Sequence, residues 1–209
     1  MSAAAKGKRG KPARTRRPSV KAAAPRHPPA KAGAPRRAPA KTNALRRPIK
    51  TGSAETALAP GKPVPAFTLP ATGGGLWRLA DARGRKLVLY FYPRDNTPGC
   101  TLEGQQFAAL APRFDAAGVT IVGISRDSLA AHEKFRAKMC FPFLLLSDAD
   151  GSLCGQMDVM RIKNMYGRKV MGIERSTFLL DANGVLQREW RKVKVEGHAL
   201  AVLEAAQAL

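Results

Sequence analysis

Cys100 stands in the segment Phe91-Tyr-Pro-Arg-Asp-Asn-Thr-Pro-Gly-Cys-Thr-Leu-Glu103, where an apolar run gives way to a helical pattern. Thr97 followed by Pro98 reads as a helix N-cap with proline at the first helical position. Counting on, Cys100 falls in the first turn, where backbone N–H groups lack intrahelical partners and the macrodipole favours an anion. Those conditions favour the thiolate, the nucleophilic form of cysteine. Thr97, three residues earlier, can place a hydroxyl beside the sulfur. The alternative is a buried, inert cysteine, against which the Pro/Gly-rich strand-to-helix turn argues.

The elements around this segment belong to an α/β sandwich. Lys86-Leu-Val-Leu-Tyr-Phe-Tyr92 is a continuous apolar run, the mark of a central strand covered on both faces. Phe107, Leu110, Ala111 and Phe114 recur at helical spacing. Val119 to Ile124 reads as a second buried strand, and Ser128 to Met139 as a second helix capped by Ser128. Val64 to Leu69 alternates like a short edge strand, and Gly73-Gly-Gly75 reads as a turn. Phe143 to Leu146, Thr177 to Leu180, and Val185 to Trp190 across the Asn183-Gly184 turn complete the strands. His198 to Leu209 closes the chain with an amphipathic helix. Strands alternating with helices predict a central mixed β-sheet flanked by helices.

The charge is unevenly placed. Among 209 residues, Lys and Arg number 36 against 15 acids, a formal +21. Residues 1–50 hold 16 of those basic residues, no acid, 13 Ala, 8 Pro and no Phe, Tyr or Trp. Such a segment buries too little apolar surface to offset its chain entropy, so residues 1–59 are predicted to be a disordered extension and linker, with the folded domain at 60–209. Ala24-Pro-Arg-His-Pro-Pro-Ala-Lys31 recurs as Ala34-Pro-Arg-Arg-Ala-Pro-Ala-Lys41, a texture that resembles linker-histone tails. Spaced cations such as Lys8, Arg9, Arg16, Arg17, Arg36, Arg37, Arg46 and Arg47 can neutralise phosphates, so DNA or RNA is a candidate partner. The alternative is a solvated leader that only raises solubility. No Arg-Arg pair is followed by the apolar stretch of a secretory signal, and prolines spoil the amphipathic helix of a mitochondrial presequence. No apolar run reaches the ~18 residues of a membrane span. A cytoplasmic protein is expected, nucleoid-associated if the arm binds DNA.

The motif Pro93-x-x-x-Thr97-x-x-Cys100 resembles the peroxiredoxin active-site motif, and Tyr92-Pro-Arg-Asp-Asn-Thr-Pro-Gly-Cys100 is similar to the peroxiredoxin Q, or bacterioferritin comigratory protein, subfamily. The likeness continues through Leu146-Ser-Asp-Ala-Asp-Gly151, Asn164-Met-Tyr-Gly167 and Gly172 to Asp181, reaching Trp190 to Val195. It covers about residues 60–209 and leaves out the arm. The resemblance implies a thioredoxin-like fold and reduction of hydrogen peroxide and organic hydroperoxides, without a cofactor, with thioredoxin or a similar thiol as reductant. It implies a monomer or weak dimer. Cys100 would be the peroxidatic thiolate that becomes a sulfenic acid. Thr97 would hydrogen-bond the peroxide, Arg175 would steady the thiolate and the leaving oxygen, and Pro93 would shield the sulfur from water. Glu103 would orient the arginines, or is simply a solvent-facing helix residue.

One departure from the family pattern concerns the resolving cysteine. Gln105 and Arg136 stand at the two positions where relatives carry it. Cys140, one helical turn beyond the second, can reach Cys100 by local unfolding; Cys154 is more in keeping with a small core residue. If neither resolves Cys100, an external thiol must.

Other chemistries fare worse. A dithiol oxidoreductase would need a second cysteine at 103, where Glu stands. Asp148-Ala-Asp-Gly151 lacks the bidentate Glu of a calcium loop, with Val159 at the twelfth position, and reads as a turn. His27, His132 and His198 form no ligand spacing with the cysteines, so no metal is expected.

Overall fold

Five strands form the central sheet in the order β5-β4-β3-β8-β9: β3 is Lys86–Phe91, β4 Val119–Ser125, β5 Leu144–Ser147, β8 Ser176–Leu180 and β9 Leu186–Trp190. The computed structural model describes residues 58–165 and 168–209. The arm, with Lys8, Arg9, Arg16, Arg17, His27, Arg36, Arg37, Arg46 and Arg47, lies outside the described residues, as do most of the linker and Tyr166-Gly167.

The apolar run at 86–92 does become the middle strand. β3 pairs parallel with β4 and antiparallel with β8, which makes the sheet mixed. Its alternate side chains feed two cores, as the period-2 geometry of a strand requires. Leu87, Leu89 and Phe91 enter one with Phe178 and Leu180, and Val88, Tyr90 and Tyr92 enter the other with Phe107, Phe114 and Leu203. The second core is roofed by α1 (Pro98–Ala116) and α4 (His198–Gln207), with α2 (Leu129–Met139) packed beside β5. Gly123 of β4 is required where it stands, because a methyl group there would lie 2.6 Å from the Tyr90 ring.

Two regions differ from the sequence reading. The strand expected at Val64–Leu69 is instead β1, Thr68–Pro70, paired antiparallel with β2, Leu76–Arg78, apart from the main sheet. Pro63 and Pro65 explain the shift, since proline has no N–H to give to a ladder; Pro63 makes only an isolated bridge to Val185. A further hairpin, β6 (Met160–Met165) with β7 (Arg168–Ile173), has no counterpart in the sequence reading. Its strands mix charged with apolar residues, and Ile162 and Met171, cross-strand partners, are both exposed, so no apolar face marks it. After β5 comes the short helix α3, Ser152–Gln156.

Among the described residues, no helix is long and apolar enough to cross a membrane, and no three His, Cys, Asp or Glu side chains gather as a metal-holding group.

Candidate active site

β3 delivers the chain to a loop, residues 92–97, that ends in α1. Thr97 occupies the N-cap with extended backbone (φ −84°, ψ 149°), and Pro98 follows at the first helical position, as the sequence predicts. The Thr97 hydroxyl, however, does not cap the helix. It donates to the Arg94 carbonyl at 3.0 Å. Its oxygen keeps lone pairs that can accept a proton from another group. Cys100 is the third helical residue and is 2% exposed.

The register of β3 with β8 brings in the second half of the site. Phe91 pairs with Ser176, so Arg175, the residue before β8, arrives beside the start of α1. Its Nη2 donates to the Cys100 sulfur at 3.3 Å, and its Nη1 donates to Glu103 Oε2. Glu103 is therefore not a solvent-facing helix residue: it is 1% exposed, and its Oε1 has no hydrogen-bond partner. Burial, opposed by the Arg175 guanidinium, lifts this carboxyl to about 7. Burial alone would lower Arg175, but Glu103 and Cys100 outweigh it and raise the guanidinium above its ordinary value. Gly99 leaves room for the arrangement, since a methyl group there would lie 3.3 Å from Arg175 Nη2. Tyr90, beneath the site, is held well above the ordinary phenol value by burial and by the negative charges of Glu103 and Asp95, and stays a neutral hydroxyl. Pro93 opens the same loop with its ring exposed.

The other two thiols stand apart. Cys140 terminates α2 in the left-handed conformation (φ 54°, ψ 40°) and is exposed; both it and Cys100 are free. The next residue, Phe141, packs on α1 so closely that a methyl group at Gly104 would lie 2.4 Å from its ring. Gln105 Nε2 approaches Met139 Sδ at 3.9 Å, and Arg136 Nε donates to the Phe143 carbonyl at 2.9 Å. The residues at the two usual resolving positions thus brace the end of α2. Cys154 is fully buried in the core on the opposite face of the sheet, and burial followed by the Asp148 carboxylate pushes its thiol far up.

Sequence reasoning missed three groups. Asp95, inside the quoted motif, accepts from the Tyr92 hydroxyl and contacts His132, both at 2.8 Å. His132 had been weighed only as a metal ligand. His198 contacts Thr177 Oγ1 at 2.8 Å, and burial followed by Arg175 holds it down at about 4. Periodicity marks these positions as buried but carries no sign of which polar partner each one meets.

A mixed sheet in this order, with a buried cysteine in the first turn of α1 and an arginine brought to it from across the sheet, defines a thioredoxin-like thiol enzyme. The AhpC/TSA family matches over residues 60–189, and the chain belongs to that family. Within it, the chain groups with the Bcp, or peroxiredoxin Q, proteins. It is 54% identical over 148 residues to peroxiredoxin Bcp of Xanthomonas campestris pv. campestris, covering 70% of this chain and 92% of that one. It is 45% identical to peroxiredoxin Bcp of Bacillus subtilis over 149 residues, 71% of this chain and 93% of that one. The solved peroxiredoxin Q of Xanthomonas campestris superposes with a TM-score of 0.65 over 68% of this chain and 90% of that chain, at 54% identity. The peroxiredoxin 6 of Arenicola marina, 19% identical over 71% of each chain with a TM-score of 0.64, shares the fold. The chain is accordingly a thiol-dependent peroxidase, an oxidoreductase.

Proposed function

We propose that Cys100 is the peroxidatic residue, and that Arg175, Thr97 and Pro93 complete its site. The observation that carries this reading is the 3.3 Å contact from Arg175 Nη2 to a sulfur placed in the first turn of α1. The Cys100 thiolate attacks the terminal oxygen of a hydroperoxide. The O–O bond breaks, the sulfur gains oxygen and loses two electrons, and the leaving oxygen departs as water or an alcohol after taking up the proton. Arg175 offsets the charge as it moves from sulfur to leaving oxygen. Thr97, donating to the Arg94 carbonyl, accepts a hydrogen bond from the peroxide O–H. Glu103 orients Arg175, and Pro93 limits water at the sulfur. The substrates are hydrogen peroxide and organic hydroperoxides; a structure of the Xanthomonas campestris relative, 54% identical, concerns its alkyl peroxide reduction.

Cys140 is proposed as the resolving thiol. Two solved forms of that relative carry cysteine-to-serine replacements 36 positions apart, and 36 positions beyond Cys100 this chain has Arg136. Cys140 is exposed, and its neighbour Phe141 packs on α1 one turn past Cys100. When the last turn of α2 opens, the Cys140 thiolate attacks the Cys100 sulfenic acid, a disulfide forms and water leaves. A thioredoxin-type dithiol then reduces the disulfide. Peptide mapping after one equivalent of hydrogen peroxide tests both roles. A Cys100–Cys140 crosslink lost in Cys100→Ser and in Cys140→Ser is expected. Oxygen addition at Cys100 without a crosslink would leave resolution to an external thiol, and an unmodified Cys100 would overturn the peroxidatic assignment.

In this reading residues 60–209 are the peroxidase domain and residues 1–59 a basic extension. The 16 cations of residues 1–50, with no acid among them, favour attachment to nucleic acid and, in the cell, to the nucleoid. Deleting residues 1–50 is expected to abolish salt-dependent binding to duplex DNA; unchanged affinity at low salt would refute it.

A further inference from the structure

The loop that carries Pro93 and Thr97 is suspended from α2 by a buried polar cluster that the peroxidase reaction as described above does not use. Asp95 is 7% exposed and His132 is fully buried. His132 Nε2 lies 3.2 Å from the Leu146 carbonyl, which can only accept, so Nε2 carries a proton. His132 Nδ1 lies 2.8 Å from Asp95 Oδ2 and 3.3 Å from the Tyr92 hydroxyl. The Tyr92 hydroxyl donates to the other Asp95 oxygen at 2.8 Å. The backbone N–H of Asp95 donates to Asp127 Oδ2, also at 2.8 Å, and Asp127 is held in turn by the Ser125 hydroxyl. Every anchor of the loop's centre thus comes from the end of β3, the β4–α2 junction, or His132 in the first turns of α2.

Asp95 sits midway between Pro93 and Thr97, and the next residue, Asn96, has a left-handed backbone (φ 56°). Asparagine is among the side-chain-bearing residues that take this conformation most readily, so the chain turns sharply immediately after Asp95. Fixing Asp95 fixes the turn, and the turn fixes where the Arg94 carbonyl orients the Thr97 hydroxyl. We propose that His132 is a positioning residue for peroxide reduction. By holding Asp95, it sets the place of the Thr97 hydroxyl relative to the sulfur. This rests on the reading of Cys100 and Thr97 given above.

The two ends of α2 then have separate tasks. Its first turns hold the peroxide-facing loop, and its last residue offers the candidate resolving thiol. Opening of the Cys140 turn can proceed while the His132 end stays in place.

The test uses the full chain and two rates at one pH. Oxidation of Cys100 by hydrogen peroxide depends on the placement of Thr97, whereas alkylation of Cys100 by iodoacetamide reads only the availability of the sulfur. His132→Gln and Asp95→Ala are each expected to slow oxidation by on the order of 10- to 100-fold, as for an ångström-scale misplacement. Alkylation should stay within about twofold or become faster. The double variant should be no slower than the slower single variant, because both break one contact. Asp95→Ala removes both acceptor oxygens and leaves His132 in place, so it carries the test if His132→Gln does not fold. Oxidation within about twofold of the wild type in Asp95→Ala would overturn the proposal, as would equal losses in both rates. Failure of wild-type Cys100 to oxidise at all would instead count against the peroxidatic assignment itself.

Discussion

Cys100 and Cys154 occupy the same place in two helices, and they differ in the charge that stands beside each sulfur. Each is the third residue of its helix, and each is buried, on opposite faces of one sheet. At α3 the N-terminal N–H groups are already satisfied. Asp148 accepts from Leu153 N at 3.2 Å and from Cys154 N at 2.7 Å, so a carboxylate fills the anion position; burial first, and then this carboxylate, keep the sulfur protonated. At α1 no carboxylate caps the turn. The nearest one, Glu103, is turned to Arg175, whose other nitrogen faces the sulfur. One helix start thus presents its sulfur with a carboxylate and the other with a guanidinium.

Removing the sulfurs should break the comparison most sharply. Cys100→Ser is expected to abolish peroxide consumption in a coupled reductant assay, whereas Cys154→Ala keeps the rate within about twofold and costs about 1 kcal/mol in urea unfolding. Arg175→Met, which leaves the thiol and its helix untouched, should slow sulfenic acid formation by on the order of 10²- to 10³-fold in stopped flow.

The charge partners can also be separated through pH. Glu103 is raised from 4.5 to about 7, so its burial costs nothing below pH 4.5 and removes stability as pH rises through 7. His198 is lowered from 6.5 to about 4, so its contribution is complete above pH 6.5 and is lost as pH falls towards 4. The two slopes oppose each other between about pH 4.5 and 6.5. In Glu103→Gln only the His198 slope should remain. Its unfolding free energy relative to wild type should be higher at pH 8 than at pH 5, by on the order of 2 kcal/mol. The smallest effect is expected at α3. Asp148→Asn should cost about 1 kcal/mol by weakening the cap, yet leave Cys154 unlabelled by iodoacetamide under native conditions, because burial persists.

The reactive half of this comparison was legible in the sequence, and the protected half only in part. Thr97-Pro98-Gly99-Cys100 encodes a helix start by local preferences alone, and the run at 86–92 encodes a central strand by its lack of alternation. Arg175 was legible only through family likeness, because no local rule says which residue 75 positions away will cross the sheet. Cys154 read correctly as a core residue, but its equivalent helix position did not, since α3 is only five residues long and has no periodicity to display. The clamp from His132 to Asp95 lay hidden for a different reason. Buried polar residues are chosen for their partners, and partners far apart in the chain leave no mark on each other's neighbours. Pro63 and Pro65 carry the opposite signal, because without N–H groups to give to a ladder they argue against a strand at 64–67.

The antiparallel placement of β8 beside β3 has a consequence for how the enzyme is made. Cys100 leaves the ribosome 75 residues ahead of Arg175. A growing chain can pair β3 with β4, and even start α1, while the position beside the sulfur is still vacant. The contact from Arg175 to the sulfur arrives only when β8 closes the sheet. The strand order thus acts as a timer: a half-made chain carries the thiol but not the guanidinium that stands beside it in the finished fold.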